Sequence, residues 1–381
     1  VNAIEIDHFP VSEFELRLRR TQQAMHAAEL DALFFTTEPE MRYFTGFRTM
    51  FWLSPTRPWF LVVPLSGKPI AVIPEIGAQL MRSTWIESIH TWSAPHAEDD
   101  GISLLVSVLR GNRRIGMPMG RESQLRMPLA DFQQVRQSIP HTEWVDATGL
   151  VQSIRQIKSE LEIDWIRSAC QAASRAFARL PELVHVGMPL DAAFSAFRIE
   201  LLRQGAEDVP YLVGGCGPDG YQDVISPPNQ RLITEGDVLM LDTGATCGGY
   251  YCDFDRNVGF GKVSSTCHTV YCQLYEATEA ALAVARPGVP VSQIYRVMAD
   301  VLEQTQSDVG RFGHGLGMQL TETPSNVDFD HTMLKTGMVI TLEPSLQYGD
   351  RLMVHEENIV IREGPPELLS ARAPEQLPLI G

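Results

Sequence analysis

The sequence predicts an α+β protein in two parts, and three observations predict it. Up to about residue 150, short apolar runs alternate with helical periodicity, the pattern of a smaller α/β unit. Beyond it, long helical stretches at 159–180 and 190–204 precede pairs of apolar strands, a sequence of helices then antiparallel pairs that indicates α+β. The 381 residues, 44% of them hydrophobic, suffice for two cores at roughly 150 residues each. We therefore expect one domain over 1–150 and a second over 151–381.

Ser12 and Glu15 have capping-box spacing, and Phe14, Leu18, Met25 and Ala28 recur behind them at helical intervals, so a helix opens the chain. Strands are expected at Asp31 to Thr36, at Trp59 to Leu65 and, after a Ser-Gly-Lys-Pro turn, at Ile70 to Pro74. A helix at Asp99 to Leu109 and a strand at Thr142 to Asp146 complete the first part. In the second, strands at Val238 to Gly244 and Gly249 to Gly261 precede helices at Thr266 to Ala285 and Val291 to Gln304. Strands at Met338 to Glu343 and Leu352 to Arg362 close it.

Composition excludes several functions. With 31 Lys+Arg against 47 Asp+Glu the formal charge is −16, which repels phosphate backbones, and the basic clusters at Arg17 to Arg20 and Arg110 to Arg114 are too short to reverse it. Nucleic acid is not an expected partner. Apolar runs such as Phe60 to Leu65 fall far short of the roughly 20 residues of a membrane span, so no membrane partner is expected either. Val1 to Pro10 carries Glu5 and Asp7 where a secretory signal needs basic and then apolar residues, which points to the cytoplasm. The six cysteines are then thiols, and Cys247/Cys252 and Cys267/Cys272 lack the histidine pair of a structural zinc site.

Asp242 ends the apolar run Val238 to Leu241, and Asp253 follows a Cys-Gly-Gly turn on the next strand. A hairpin loop centred on Cys247 and Gly248 places Asp242 directly across from Asp253, with Asp255 on the same face. Like charges at such spacing destabilise a sheet unless a cation neutralises them; alternatively these are solvated residues on a surface hairpin. Glu343 and Glu357 repeat the geometry if a second hairpin is centred on Asp350. His314, set in Gly313-His314-Gly315-Leu316-Gly317, has glycines that leave its imidazole accessible and let another backbone come close. Four carboxylates and one imidazole suit Mn, Fe, Co or Zn, and suffice for two bridged divalent transition-metal ions.

The order Asp, Asp, His, Glu, Glu resembles the prolidase, aminopeptidase P, methionine aminopeptidase and creatinase superfamily. The likeness is carried by Asp242-Thr243-Gly244, Gly249-Tyr250, Asp253, Arg256, His314, Thr341-x-Glu343-Pro344 and Glu357-Asn358. It extends to Asp31-Ala32-Leu33, Tyr43-Phe44-Thr45-Gly46-Phe47 and Arg155-Gln156-Ile157-Lys158. It implies a C-terminal pita-bread catalytic domain behind a smaller creatinase-like N-terminal domain, metal ligands Asp242, Asp253, His314, Glu343 and Glu357, and Glu343 as the group that handles protons.

The departures narrow the activity. Val224 stands where the peptidases have a substrate-contacting histidine, and Thr321-Glu322-Thr323-Pro324 replaces their His-Glu-x-Pro, so Thr321 stands for a second histidine. His355 replaces an arginine two residues before the last ligand, and Asp255 replaces a threonine two residues after the second. His355 shares a strand face with Glu357, which puts a titratable imidazole beside the metals or else on the surface. We expect a metal-dependent hydrolase that activates water against an amide-type C–N bond, with weak Xaa-Pro peptidase activity. The alternatives are a lyase of the dimethylsulfoniopropionate type and a non-enzymatic binding module. Met50 to Phe60 holds Phe51, Trp52, Trp59, Arg57 and two prolines in eleven residues. Such a cluster is either core or, in a homodimer like those of prolidase relatives, a wall of the partner's pocket. There Trp52 and Arg57 would favour a small zwitterion over a peptide; the expected partners are a small-molecule or dipeptide substrate and a second copy of the chain.

Overall fold

The computed structural model describes residues 5–6, 9–54, 56–304 and 310–381; Asp7 and Pro55 lie outside the described residues. The chain divides into two compact units, Val1–Arg155 and Gln156–Gly381.

The first unit is built on a six-stranded mixed sheet in the spatial order Ser88–Trp92, Ile70–Pro74, Phe60–Pro64, Ala32–Phe35, Arg114–Met117, Glu143–Asp146. Phe34, Val62, Val72 and Ile115 pack from one face against Leu105, Val106 and Leu109 of the helix Ile102–Leu109, which accounts for the apolar runs of the sequence. Asp99 Oδ1 caps that helix by accepting from the Ile102 and Ser103 N–H groups at 2.7 and 3.1 Å. The opening helix differs from expectation. It runs Val11–Ala27 with extended Pro10 at its N-cap and no side-chain cap bond, so Ser12 lies inside the first turn and forms no capping box.

Exposure differs from residue to residue along the aromatic segment. Trp59, 1% exposed, belongs to the core beside Phe47, whereas Met50 and Leu53 stand out at 70% and 80% exposure. Trp52 is half-buried beneath the Arg126 guanidinium, 4.9 Å from its ring centroid, and Arg57 lies 5.3 Å over Phe51.

The second unit opens with Glu160–Ala178, where Ser159 and Glu162 form a reciprocal capping box, followed by Leu190–Arg203. Phe177 of the first helix packs on Phe197 of the second and on Phe254 of the sheet, at 4.6 and 5.4 Å between centroids. That sheet is organised by the long strand Asp237–Cys247, with Asp208–Pro218 along one side and Tyr250–Tyr251 then Phe254–Phe260 along the other. Another sheet has the order Glu322–Ser325, His314–Gly315, Val339–Leu342, Glu357–Val360, Glu367–Leu368. Leu274, Ile294 and Met298, from the helices Ser265–Val284 and Val291–Val301, join Val238, Met240, Ile340, Leu342 and Ile359 in one core spanning both sheets. Among the described residues no helix is long and apolar enough to cross a membrane, and all six cysteines are free thiols.

Both hairpins that carry acidic residues differ in register from the sequence reading. In the first, Cys247 pairs with Tyr250 across Gly248 and Gly249, whose φ of 53° and 67° make the left-handed two-residue turn that glycine adopts without strain. Asp242 therefore faces Asp255, not Asp253. In the second, Tyr348 pairs with Arg351 across Gly349 and Asp350, and the register continues to Leu342 opposite Glu357. Glu343 is thereby carried next to Glu356.

Candidate metal centre

Two sheets flank the candidate centre. On the side of the first are Asp242 and Asp255, opposed across the ladder, and Asp253, which precedes the Phe254–Phe260 strand. On the side of the other are His314, Glu343 and Glu356; Asp242, Asp255 and Glu343 are close enough for charge to act on the rest. His314 is fixed by its neighbours: its N–H donates to Thr341 Oγ1 at 3.1 Å, and Gly313 and Gly315 sit where a Cβ would lie 2.3 Å from Thr341 O and 2.2 Å from Thr323 O. The glycines thus admit a close backbone approach, and His314 is buried rather than accessible.

Ligand atoms of Asp253, His314 and Glu356 lie within 4.8 Å of one another. His314 Nδ1 lies 2.9 Å from Gly315 O; a carbonyl only accepts, so Nδ1 donates to it, and the other ring nitrogen, Nε2, is turned to Asp253 Oδ2 at 3.3 Å. Asp242 Oδ1, Asp255 Oδ2 and Glu356 Oε1 are all sealed from solvent with no hydrogen-bond partner. Burial and then neighbouring charge push the carboxyls of Asp242, Asp255 and Glu356 well above the usual range; for Asp253 burial does so while Arg311 opposes it. Burial, with Asp253 and Asp242 nearby, raises Glu343 to about 7 against the pull of His314. Hard oxygen donors, one imidazole and unsatisfied negative charge fit divalent transition-metal ions.

Glu357, expected among the ligands, turns away. It is fully buried, accepts from Arg256 Nη2 at 2.9 Å, Arg372 Nη1 at 3.1 Å and the Ala373 N–H at 2.8 Å, and accepts from Ser370 Oγ as well. The one-residue difference in register is the reason, since successive strand residues face opposite sides. His355 does share a face with Glu357, but that face looks at Arg372 and Thr278, 3.2 and 3.1 Å from its ring nitrogens. Burial holds its imidazole down to about 3, so it is a neutral packing residue and no base at the candidate centre. Val224 packs against the core, and Thr321 lies half-buried with Arg311 Nη2 donating to its hydroxyl at 3.5 Å.

Three contributors escape a reading of the sequence alone. Glu356 was hidden by the register, although the Glu356-Glu357 doublet guaranteed one carboxylate on each face. Tyr211, on the Asp208–Pro218 strand, lies close enough to Asp242 for its side chain to favour the charged carboxylate against the effect of burial. Asn358 holds Asp253 by its backbone: Oδ1 accepts the Asp253 N–H at 2.9 Å, and Nδ2 donates to Asp253 O.

The model of metallopeptidase family M24 matches residues 164–363, more than half of the chain. The chain belongs to metallopeptidase family M24. The creatinase/prolidase N-terminal domain matches residues 17–157, which places the whole within the prolidase/creatinase pita-bread superfamily. Among M24 relatives, the probable dipeptidase PepE of Mycobacterium bovis is 28% identical over 359 residues, 93% of each chain. The Xaa-Pro dipeptidase of Pyrococcus furiosus is 22% identical over 380 residues, covering 95% of this chain and 99% of its own. The structure of dipeptidase PepE from Mycobacterium ulcerans superposes with a TM-score of 0.85 at 25% identity, covering 98% of this chain and 99% of that one. The prolidase of Pyrococcus horikoshii shares the fold, with a TM-score of 0.82 at 19% identity over 95% and 100% of the two chains. As an M24 member the protein is a metallopeptidase-family hydrolase.

Proposed function

We propose that the protein is a metal-dependent hydrolase of amide-type C–N bonds in small zwitterionic substrates. The observation that supports this most is that Asp253, His314 and Glu356 bring ligand atoms within 4.8 Å of one another beside buried carboxylate oxygens of Asp242, Asp255 and Glu356 that lack hydrogen-bond partners. Asp242, Asp253, His314, Glu343 and Glu356 would hold two divalent ions, Mn, Fe, Co or Zn, which polarise a carbonyl and acidify water at neutral pH. Glu343 accepts a proton at its carboxylate and returns it to the departing nitrogen. Asn358 and Thr341 keep Asp253 and His314 in place through their backbones. Arg311, close enough for its charge to act on Asp253 and Glu343, meets the substrate's carboxylate beside Thr321. Val224 and Thr321 neither give nor take a proton as histidines would, so Xaa-Pro dipeptides are poor substrates.

The reading includes a homodimer in which the Met50 to Phe60 segment, with its exposed Met50 and Leu53, borders the partner's centre, and a cytoplasmic setting that suits six free thiols. Metal analysis of protein purified without added ions, then assays of stripped and reconstituted protein on dipeptides and N-acyl amino acids in ¹⁸O-water, test it. Hydrolysis places one solvent oxygen in the product. Products without it indicate elimination and refute the hydrolase reading, turnover that survives complete chelation refutes metal dependence, and an Xaa-Pro kcat above roughly 10 per second refutes the role given to the missing histidines. A monomer in sedimentation refutes the dimer.

A further inference from the structure

Asp255 is the residue of the centre that the family pattern does not account for, because a threonine usually occupies its position. It is 1% exposed and directly opposes Asp242, which puts the two Cβ atoms about 4.5–5.5 Å apart. One oxygen, Oδ1, is used: it accepts the Glu356 N–H at 2.9 Å. The other, Oδ2, is sealed from solvent and has no hydrogen-bond partner. The adjacent Arg256 does not neutralise it, since that guanidinium donates to the carbonyls of Asp255, Glu356 and Ala371 and to the Glu357 carboxylate. A buried carboxylate oxygen without a donor is costly unless it ligates a cation or carries a proton.

We propose that Asp255 is a sixth donor of the metal centre, ligating an ion through Oδ2 while Oδ1 stays tied to the Glu356 peptide. The inference rests on the metal-dependent reading above. Its chemistry is that of an added hard anionic oxygen in place of a neutral hydroxyl, which raises the negative charge of the donor set by one unit and tightens its hold on a divalent ion. The tie through Oδ1 couples the two sheets at the same point: the peptide of one carboxylate donor is held by the side chain of another.

The competing role for Asp255 is a neutral carboxylic acid that shares its proton with Asp242, and the two roles separate experimentally. Asp255→Asn keeps the shape and the oxygen that accepts from Glu356 and supplies an N–H for Asp242, but removes the anionic ligand; Asp255→Thr restores the family's residue. Full-length protein and both variants, checked for folding by circular dichroism, are titrated calorimetrically with Co²⁺. Crystals of the wild type grown with Co²⁺ are measured at the cobalt edge. The proposal expects Asp255 Oδ2 about 2.0–2.2 Å from a cobalt ion. It also expects at least a tenfold weakening, or loss, of one binding event in Asp255→Asn, with Asp255→Thr following it. An Oδ2 more than about 3 Å from every cobalt, or Co²⁺ binding by Asp255→Asn equal to wild type, overturns the role of Asp255 and leaves the metal reading intact. A wild-type protein that takes up no cobalt overturns the metal reading and this inference with it.

Discussion

Glu356 and Glu357 are adjacent, chemically identical and both buried, yet neutralising each should have opposite consequences. Glu357→Gln removes the anion that pairs with Arg256 and Arg372 and accepts from Ser370 and Ala373. Removing one partner of a buried pair typically costs roughly 3–5 kcal/mol. Both arginines retain carbonyl or carboxylate acceptors and are 11% and 18% exposed, so the lower end applies, about 3 kcal/mol. For a unit of this size that lowers Tm by about 6–12 °C. Glu356→Gln acts in the opposite sense. Burial and four neighbouring carboxylates hold Glu356 above its normal range in the metal-free protein, so exchanging it for a neutral amide relieves repulsion, and metal-free stability stays level or rises. Affinity for Co²⁺ should fall at least tenfold in Glu356→Gln and much less in Glu357→Gln. Urea denaturation of the chelated proteins and calorimetric Co²⁺ titration measure the two quantities. Glu357→Gln losing metal with stability intact, while Glu356→Gln unfolds, would refute the register and return Glu357 to the centre.

Three further outcomes follow from the geometry. Neutral buried His355 binds its proton only near pH 3, whereas the unfolded chain takes one near 6.5; stability should therefore fall as pH drops through that window, by up to about 1.4 kcal/mol per unit, and His355→Asn should flatten the slope in pH-dependent denaturation. Asn358→Asp cannot donate to Asp253 O, and calorimetry should find Co²⁺ affinity reduced roughly 10- to 100-fold with the fold retained by circular dichroism. Gly313→Ala, at φ 123° with its Cβ 2.3 Å from Thr341 O, should cost more than about 1 kcal/mol in urea denaturation and displace His314; unchanged stability would contradict the close approach.

What the sequence made legible depended on parity. The first hairpin is offset by two residues from the expected pairing, and an even offset keeps every side chain on its face, so Asp242, Asp253 and Asp255 still converge. The second is offset by one, which exchanged Glu357 for Glu356 and sent His355 to the wrong environment. The strand Asp208–Pro218 gives no strand signal because Gly214, Gly215 and Gly217 interrupt its apolar pattern. Those glycines answer to packing: a Cβ on Gly214 would lie 2.1 Å from Met240 O, and one on Gly215 2.4 Å from Asp223 O. The long helices were legible because capping and periodicity are local, and Ser159 with Glu162 satisfies both.

The way Asn358 grips Asp253 has a thermodynamic corollary. The candidate donors would divide evenly, Asp242, Asp253 and Asp255 on or beside strands of one sheet and His314, Glu343 and Glu356 on or beside strands of the other, so neither half would be a complete chelator. An ion bound by both would be a rivet across the seam, its binding energy acting against separation of the halves. At free metal a thousandfold above Kd the rivet adds about 4 kcal/mol to the assembled state. The protein's heat resistance should then track the free concentration of its metal, and a melting curve would report metal supply before any substrate is known.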